Sequence, residues 1–183
     1  MGVTVATAHA TMNPVNPDME TEAVSVAIDR QTQSFIDEVA MLEWRVDAAW
    51  QQYDHAVAAI EAKPGSVKDL QSQMHALIKF YQDDIDQGVR LQDSRKAIDE
   101  IYSLYSKKID TQAKVEARQV ARLQFLLGAE IDRGQRELEA LVQANASHVN
   151  AHSEPVIRSA QRKFVNGALS LKALKESAAL ASR

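Results

Sequence analysis

Apolar residues recur at three- and four-residue spacing over residues 18–62, with no helix breaker among them. Ile28, Phe35, Val39, Leu42, Val46, Ala49, Tyr53, Ala56 and Ile60 fall on one seam, and Thr32 is its polar exception. The spacing predicts one long helix. Asp18 is its expected N-cap, and Glu20 and Glu22 lie where the helix dipole favours negative charge. At ~1.5 Å per residue this is a rod of roughly 65 Å, which needs a coiled-coil-like partner along its length. Upstream, Asn13-Pro14 and Asn16-Pro17 disfavour helix, because proline pushes the preceding residue out of the helical region. Residues 1–17 therefore read as a flexible tail, and residues 18–183 as a single elongated helical domain.

Lys63-Pro64-Gly65-Ser66 is the clearest turn. Ser66 with Asp69 resembles a capping box with a shorter acid, and opens a second stripe at Val67, Leu70, Met74, Leu77 and Tyr81. A short turn between two stripes predicts that the first two helices form an antiparallel hairpin. Over residues 83–96 the pattern weakens, since Asp84, Gly88 and Arg95 occupy seam positions. A kink, a frayed segment or a short loop is expected there; the stripe resumes in the same phase at Ile98, Tyr102, Tyr105 and Ile109, which favours a continuous but weakened helix over a true break. A third series follows at Val120, Leu123, Leu127, Ile131, Leu138 and Leu141. Gly134 sits on its seam, and a one-residue slip near Leu127 changes the supercoil locally. No glycine or proline separates Ile98 from Leu127, so one very long helix and a turn near Asp110-Thr111 both fit.

The polar stretch 145–153 ends that helix. Ser153, Glu154 and Pro155 supply a cap, an acid and a first-turn proline for the last one. Its stripe is Ile157, Ala160, Phe164, Ala168, Leu171 and Ala178, and Lys172, Lys175 and Arg183 suit its negative C-terminal end. The expected fold class is all-α: long antiparallel helices in a three- or four-helix bundle with coiled-coil-like packing.

Composition supports this. A chain of 183 residues makes one domain, and a 45% apolar share with only 5% aromatics suits closely packed, alanine-rich helices. Net charge is −4, which argues against nucleic-acid binding by phosphate neutralisation. The charge is uneven. Residues 18–61 hold ten acidic and two basic side chains, net −8, whereas residues 154–183 hold six basic and two acidic, net +4. The last helix is therefore expected against the first, within one chain or between chains. There is no cysteine, which excludes disulfides, thiolate metal sites and cysteine nucleophiles. No apolar run approaches a transmembrane span; Phe125-Leu126-Leu127-Gly128-Ala129 is about the longest. Residues 1–17 lack the basic start and apolar block of a secretory signal. Cytoplasmic residence is the default expectation, with signal-independent export or particle association as the alternative.

The search for chemistry returns little. Glu-x-x-His, the ferritin-like signature, is absent. His148 and His152 stand four apart with Glu154 nearby, but Val149 occupies the position of the zincin glutamate, so they read as solvated histidines. Asp83-Asp84-x-Asp86 lacks the distal glutamate of a calcium loop, with Ser94 in its place. Lys63-Pro64-Gly65-Ser66 lacks the spaced glycines of a phosphate loop, and no Gly-x-Ser-x-Gly or dinucleotide fingerprint occurs. Asn145-Ala146-Ser147 matches a glycosylation acceptor, a three-residue pattern that arises by chance. No catalytic, metal or cofactor-binding residue is expected.

The aromatics are more informative. Trp50 lies beside the main seam, whereas Trp44 points away from it with Met41 on the same outer face. Exposed tryptophan and methionine suit an interface, so Met41 and Trp44, with Lys172 and Lys175, are the expected partner-binding residues. The expected function is a non-enzymatic helical assembly protein, a homo-oligomer or one that docks on a larger complex. The alternatives are a secreted or particle-associated structural protein (an export-apparatus filament or virion component), or a metal carrier or enzyme. A curved membrane-binding module is disfavoured, since basic residues concentrate only in the last helix.

Overall fold

The computed structural model describes residues 17–181, with side chains from 30 to 179. Apart from Pro17, the expected tail lies outside them. Four α-helices follow one another: α1 (Pro17–Glu61), α2 (Val67–Asp86), α3 (Leu91–Ala144) and α4 (Glu154–Ala181), with a 3-10 turn at Ala146–His148 between the last two. The fold is all-α, and no strand occurs among the described residues. Since α1 begins at Pro17, Asp18 lies in its first turn and does not cap it.

The core is a three-helix bundle. The seam of α1 contributes Phe35, Val39, Leu42, Val46 and Tyr53; α3 contributes Leu127, Ile131 and Leu138; α4 contributes Ile157, Ala160, Phe164 and Leu171. Burying a side chain of this size stabilises by about 1.5–3 kcal/mol, so these residues hold the helices together. Two polar side chains enter the seam. Thr32 is buried, and Gln124 lies 3.5 Å from the Tyr53 hydroxyl, to which its amide donates. α4 runs parallel to α1 at a fixed offset of 116 residues, which pairs Ser159 with Glu43 and Lys163 with Asp47. α3 runs antiparallel to α4, with Gly134 beside Phe164 and Gly128 beside Leu171. The last helix thus lies against the first within one protomer.

The expected hairpin of α1 and α2 does not form. α1 and α2 touch only near their joint, and both pack on α3. The pairs that cross to α3 are Arg45 with Glu137, Tyr53 with Gln124, Val67 with Glu116 and Gln73 with Tyr105. As one residue number rises the other falls, through the joint without a break. α1 and α2 therefore stand end to end along α3, whose 54 residues span ~80 Å. A turn signal specifies that the chain bends but not by how much. Here both stripes find a common partner and not each other.

The joint is well tied. Gly65 has φ +80° after Pro64, and the Ser66 amide donates to the Lys63 carbonyl at 3.0 Å, as in a type II turn. Ser66 Oγ accepts from the Asp69 amide at 3.2 Å, while the Asp69 carboxylate reaches back to the Gly65 amide at 2.7 Å. This is the expected capping box displaced by one residue, since the Ser66 amide is already bonded to the Lys63 carbonyl and the Gly65 amide is the donor left for Asp69. Glu116 on α3 accepts from the Val67 amide at 2.9 Å, so an acid from α3 sits at the positive end of α2.

The true reversal is at Gly88, where the sequence favoured a weakened helix. Gly88 has φ +70°, its amide donates to Ile85 O at 3.0 Å, and the Val89 amide donates to Asp84 O at 2.9 Å. That pair of bonds is a Schellman stop. Arg90 is also left-handed, at φ 48°, and α3 starts directly after it. α3 then runs through Asp110 and Thr111 uninterrupted, which resolves the continuity left open by the sequence. At the far end of α3, Ser153 holds the expected N-cap position of α4, its carbonyl accepting from the Ile157 amide at 3.1 Å, but its side chain caps no amide of α4. Its hydroxyl donates to His148 O at 2.9 Å and accepts from the Asn150 amide at 3.0 Å, which closes the loop that precedes α4.

Candidate functional site

By the 116-residue offset, α4 ends level with the joint, so α2 packs chiefly on α3. The consequence is a molecule of two unequal halves. Beside α1 and α4, α3 carries a buried core. Beside α2 it carries almost none: α2, all of whose side chains are described, has no buried residue. On α3, Ser94 is the only buried residue before Gln124. Two helices alone cover each other on one side only, and their stripes stay half open.

Exposed apolar side chains mark this opening. Phe80 is 64% exposed, Leu104 53%, Leu77 41% and Val115 41%. Phe80 stacks edge-on against Tyr81 on its own helix, with centroids 5.3 Å apart. A concavity of about 440 Å³ lies at the root of the hairpin, lined by Leu70, Leu104, Lys107, Lys108, Thr111 and Gln112. Two more follow between α1 and α3, one including Ala49, Leu123 and Leu126, the other Met41, Leu42 and Leu141. None of the three includes an α4 residue, so α3 and its two partners share a groove that α4 leaves uncovered. Arg45 crosses it to Glu137 and to Glu130 (3.8 Å), and Arg133 joins the network at 3.1 Å from Glu130.

The expected contact residues fall in different places. Met41 is 59% exposed and lines the groove beside Leu141. Trp44 is 61% exposed, as its position off the seam predicts, and no helix of the bundle covers it. Lys172 and Lys175 are exposed on α4, and Lys172 pairs with Glu176 of its own helix at 3.9 Å. The cation that ties α4 to α1 is instead Lys163, hydrogen-bonded to Asp47 and 3.5 Å from Glu43. The hydrogen bond to Asp47 holds its ammonium pKa above the usual lysine value, against the opposing pull of partial burial.

Sequence reasoning passed over Phe80, Leu104, Val115 and Phe125, the last 70% exposed. The signal was present in Phe125-Leu126-Leu127. A helix turns ~100° per residue, so three consecutive apolar positions cannot share one buried face, and here Leu127 takes the core.

The remaining chemistry is sparse. A concavity of about 640 Å³ opens between α1 and the start of α4 and includes Glu43, Glu154, Arg158, Arg162 and Lys163. Most of its charge is paired internally, Arg158 with Glu154 and Lys163 with Glu43. His148 lies in the 3-10 turn and His152 in the loop beyond it. Among the described residues no cluster of three acid or histidine side chains could hold a metal, and no helix is long and apolar enough to cross a membrane. No family model, curated protein or solved structure matches the chain.

Proposed function

We propose that this chain is a non-enzymatic helical assembly protein that self-associates through the uncovered groove along α3. One observation carries this reading: α2 is a 20-residue amphipathic helix with no fully buried side chain, whose inward stripe of Val67, Leu70, Met74, Ile78 and Tyr81 is only half-buried in the folded chain. A two-helix hairpin with a half-covered stripe gains its remaining burial only from another chain, at about 25 cal/mol per Å² of apolar surface removed from water. Large exposed apolar patches on a folded chain are typical of association surfaces. Met41 and Trp44 offer a second apolar contact at the other end of the molecule, suited to growth beyond a dimer.

The test is sedimentation velocity on the full chain from about 1 to about 100 μM, a range that brackets micromolar affinities. The reading predicts a weight-average mass that rises above the monomer's 20.3 kDa with concentration. A monomer throughout contradicts it.

A further inference from the structure

We propose that the groove between α2 and α3 receives the same groove of a second copy, with the two hairpins antiparallel so that each tip lies on the other's root. This rests on the self-association reading and adds its surface and its orientation.

The apolar part of the surface suits a two-fold contact. In the register set by Gln73 with Tyr105, Leu77 stands level with Ile101 and Leu104 with Met74, so the two leucines lie within about one helical turn of each other near the middle of α2. Both are exposed, and a two-fold axis between them sets the leucines of one copy on those of the other. A groove ~30 Å long and about two helix diameters (~20 Å) wide offers roughly 600 Å² per copy, close to the lower bound of specific interfaces.

The charges choose the occupant and its direction. The tip, residues 79–100, holds six acidic and four basic side chains, net −2. The root, residues 63–78 and 101–122, holds seven basic and three acidic, net +4. Parallel hairpins would place like on like. Antiparallel hairpins place acidic tip on basic root at both ends, so the chain carries the charge order that its own reversed copy requires. At the root, Lys107 and Lys108 line the groove. At the tip stand Asp83 and Asp84. Among the described residues none of these four has an ion-pair partner within the chain.

The experiment is zero-length carbodiimide crosslinking of the full chain, mixed in equal parts as isotope-labelled and unlabelled protein. Mixed-isotope links between Lys107 or Lys108 and Asp83 or Asp84 are expected. Within one chain the register sets Lys107 level with Gln71 and Lys108 with Leu70, so about twelve to fourteen residues of helix, ~18–21 Å, separate them from Asp83 and Asp84, too far for such a link. K107E/K108E and D83K/D84K should each weaken association at least tenfold at low salt, and mixing the two variants should restore it. L104E should abolish the dimer with helicity retained. The charge variants keep the test open should L104E misfold. An oligomer without tip-to-root links, or charge variants that associate like the wild type, would overturn the antiparallel arrangement while self-association stands. A monomer at every concentration would overturn both.

Discussion

Gly134→Ala tests the packing of α3 on α4 at a buried glycine. A Cβ at this position would stand 2.8 Å from Phe164 Cζ and closer still to Cε1. Favourable carbon contacts begin near ~3.5 Å, so a gap of more than about 0.7 Å must open. Phe164 is fully buried, so the ring or the helices themselves must shift within the packed core. Overpacking of this kind costs about 1–3 kcal/mol, and the shortfall places this site in the upper part of that range. The better helix propensity of alanine offsets about 1 kcal/mol. The expected result is a net destabilisation of about 1–2 kcal/mol, read from urea unfolding followed by circular dichroism. Phe164→Leu removes the clashing ring edge, so the double variant should lose at least about 1 kcal/mol less than the sum of the singles. Stabilisation by Gly134→Ala, as for a glycine on an exposed helix face, would refute the close α3–α4 approach.

Three further outcomes follow from the geometry. Gly88→Ala should destabilise by about 1–2 kcal/mol in the same assay, because φ is +70° and the penalty is conformational, with open space around the position; a continuous helix there would give the opposite sign. Lys163→Gln should cost up to about 1 kcal/mol, as partly exposed pairs do. Because the folded pKa of Lys163 is raised, its contribution is complete below the ordinary value of 10.5 and is lost as pH rises through the folded pKa. The difference between wild type and Lys163→Gln, followed by urea unfolding at increasing pH, should therefore shrink only in strong base. Trp44→Ala should leave monomer stability within about 0.5 kcal/mol and weaken association beyond the dimer, measured by urea unfolding and by sedimentation; loss of folding would contradict the exposure of Trp44.

Local signals in this sequence were more legible than directions. The seam from Phe35 to Tyr53, the turn at Pro64-Gly65 and the start of α4 at Glu154 all correspond to the structure, because each depends on nearby residues. The hairpin of α1 with α2 was misread because periodicity shows that a stripe faces something, never what. Gly88 was marked as a weak point with a short loop among the outcomes, but continuity was preferred because apolar spacing keeps its phase across it. A glycine that closes a Schellman stop and a glycine within a weak helix look alike until the hydrogen bonds of Val89 and Gly88 are seen. Trp44 was correctly placed outside, since one wheel position decides it. The open groove was not foreseen. Its existence depends on α4 ending level with the joint, a length relation between distant segments that no local pattern carries. The last helix lies against the first as the charge split suggested; Lys163, which the charge count did not single out, makes the contact with α1, while Lys172 pairs along its own helix.

Amide exchange as a function of protein concentration tests the central claim most directly, that the α2–α3 hairpin is left incomplete by its own fold. In dilute protein, amides of α2 and of α3 before Gln124 should exchange far faster than those around Leu127, Ile131 and Leu138, which lie in the buried core. At high concentration the hairpin should become protected while the core stays unchanged, because only the hairpin gains cover from a second chain. Hairpin amides as protected as the core in dilute protein, or indifferent to concentration, would contradict the account.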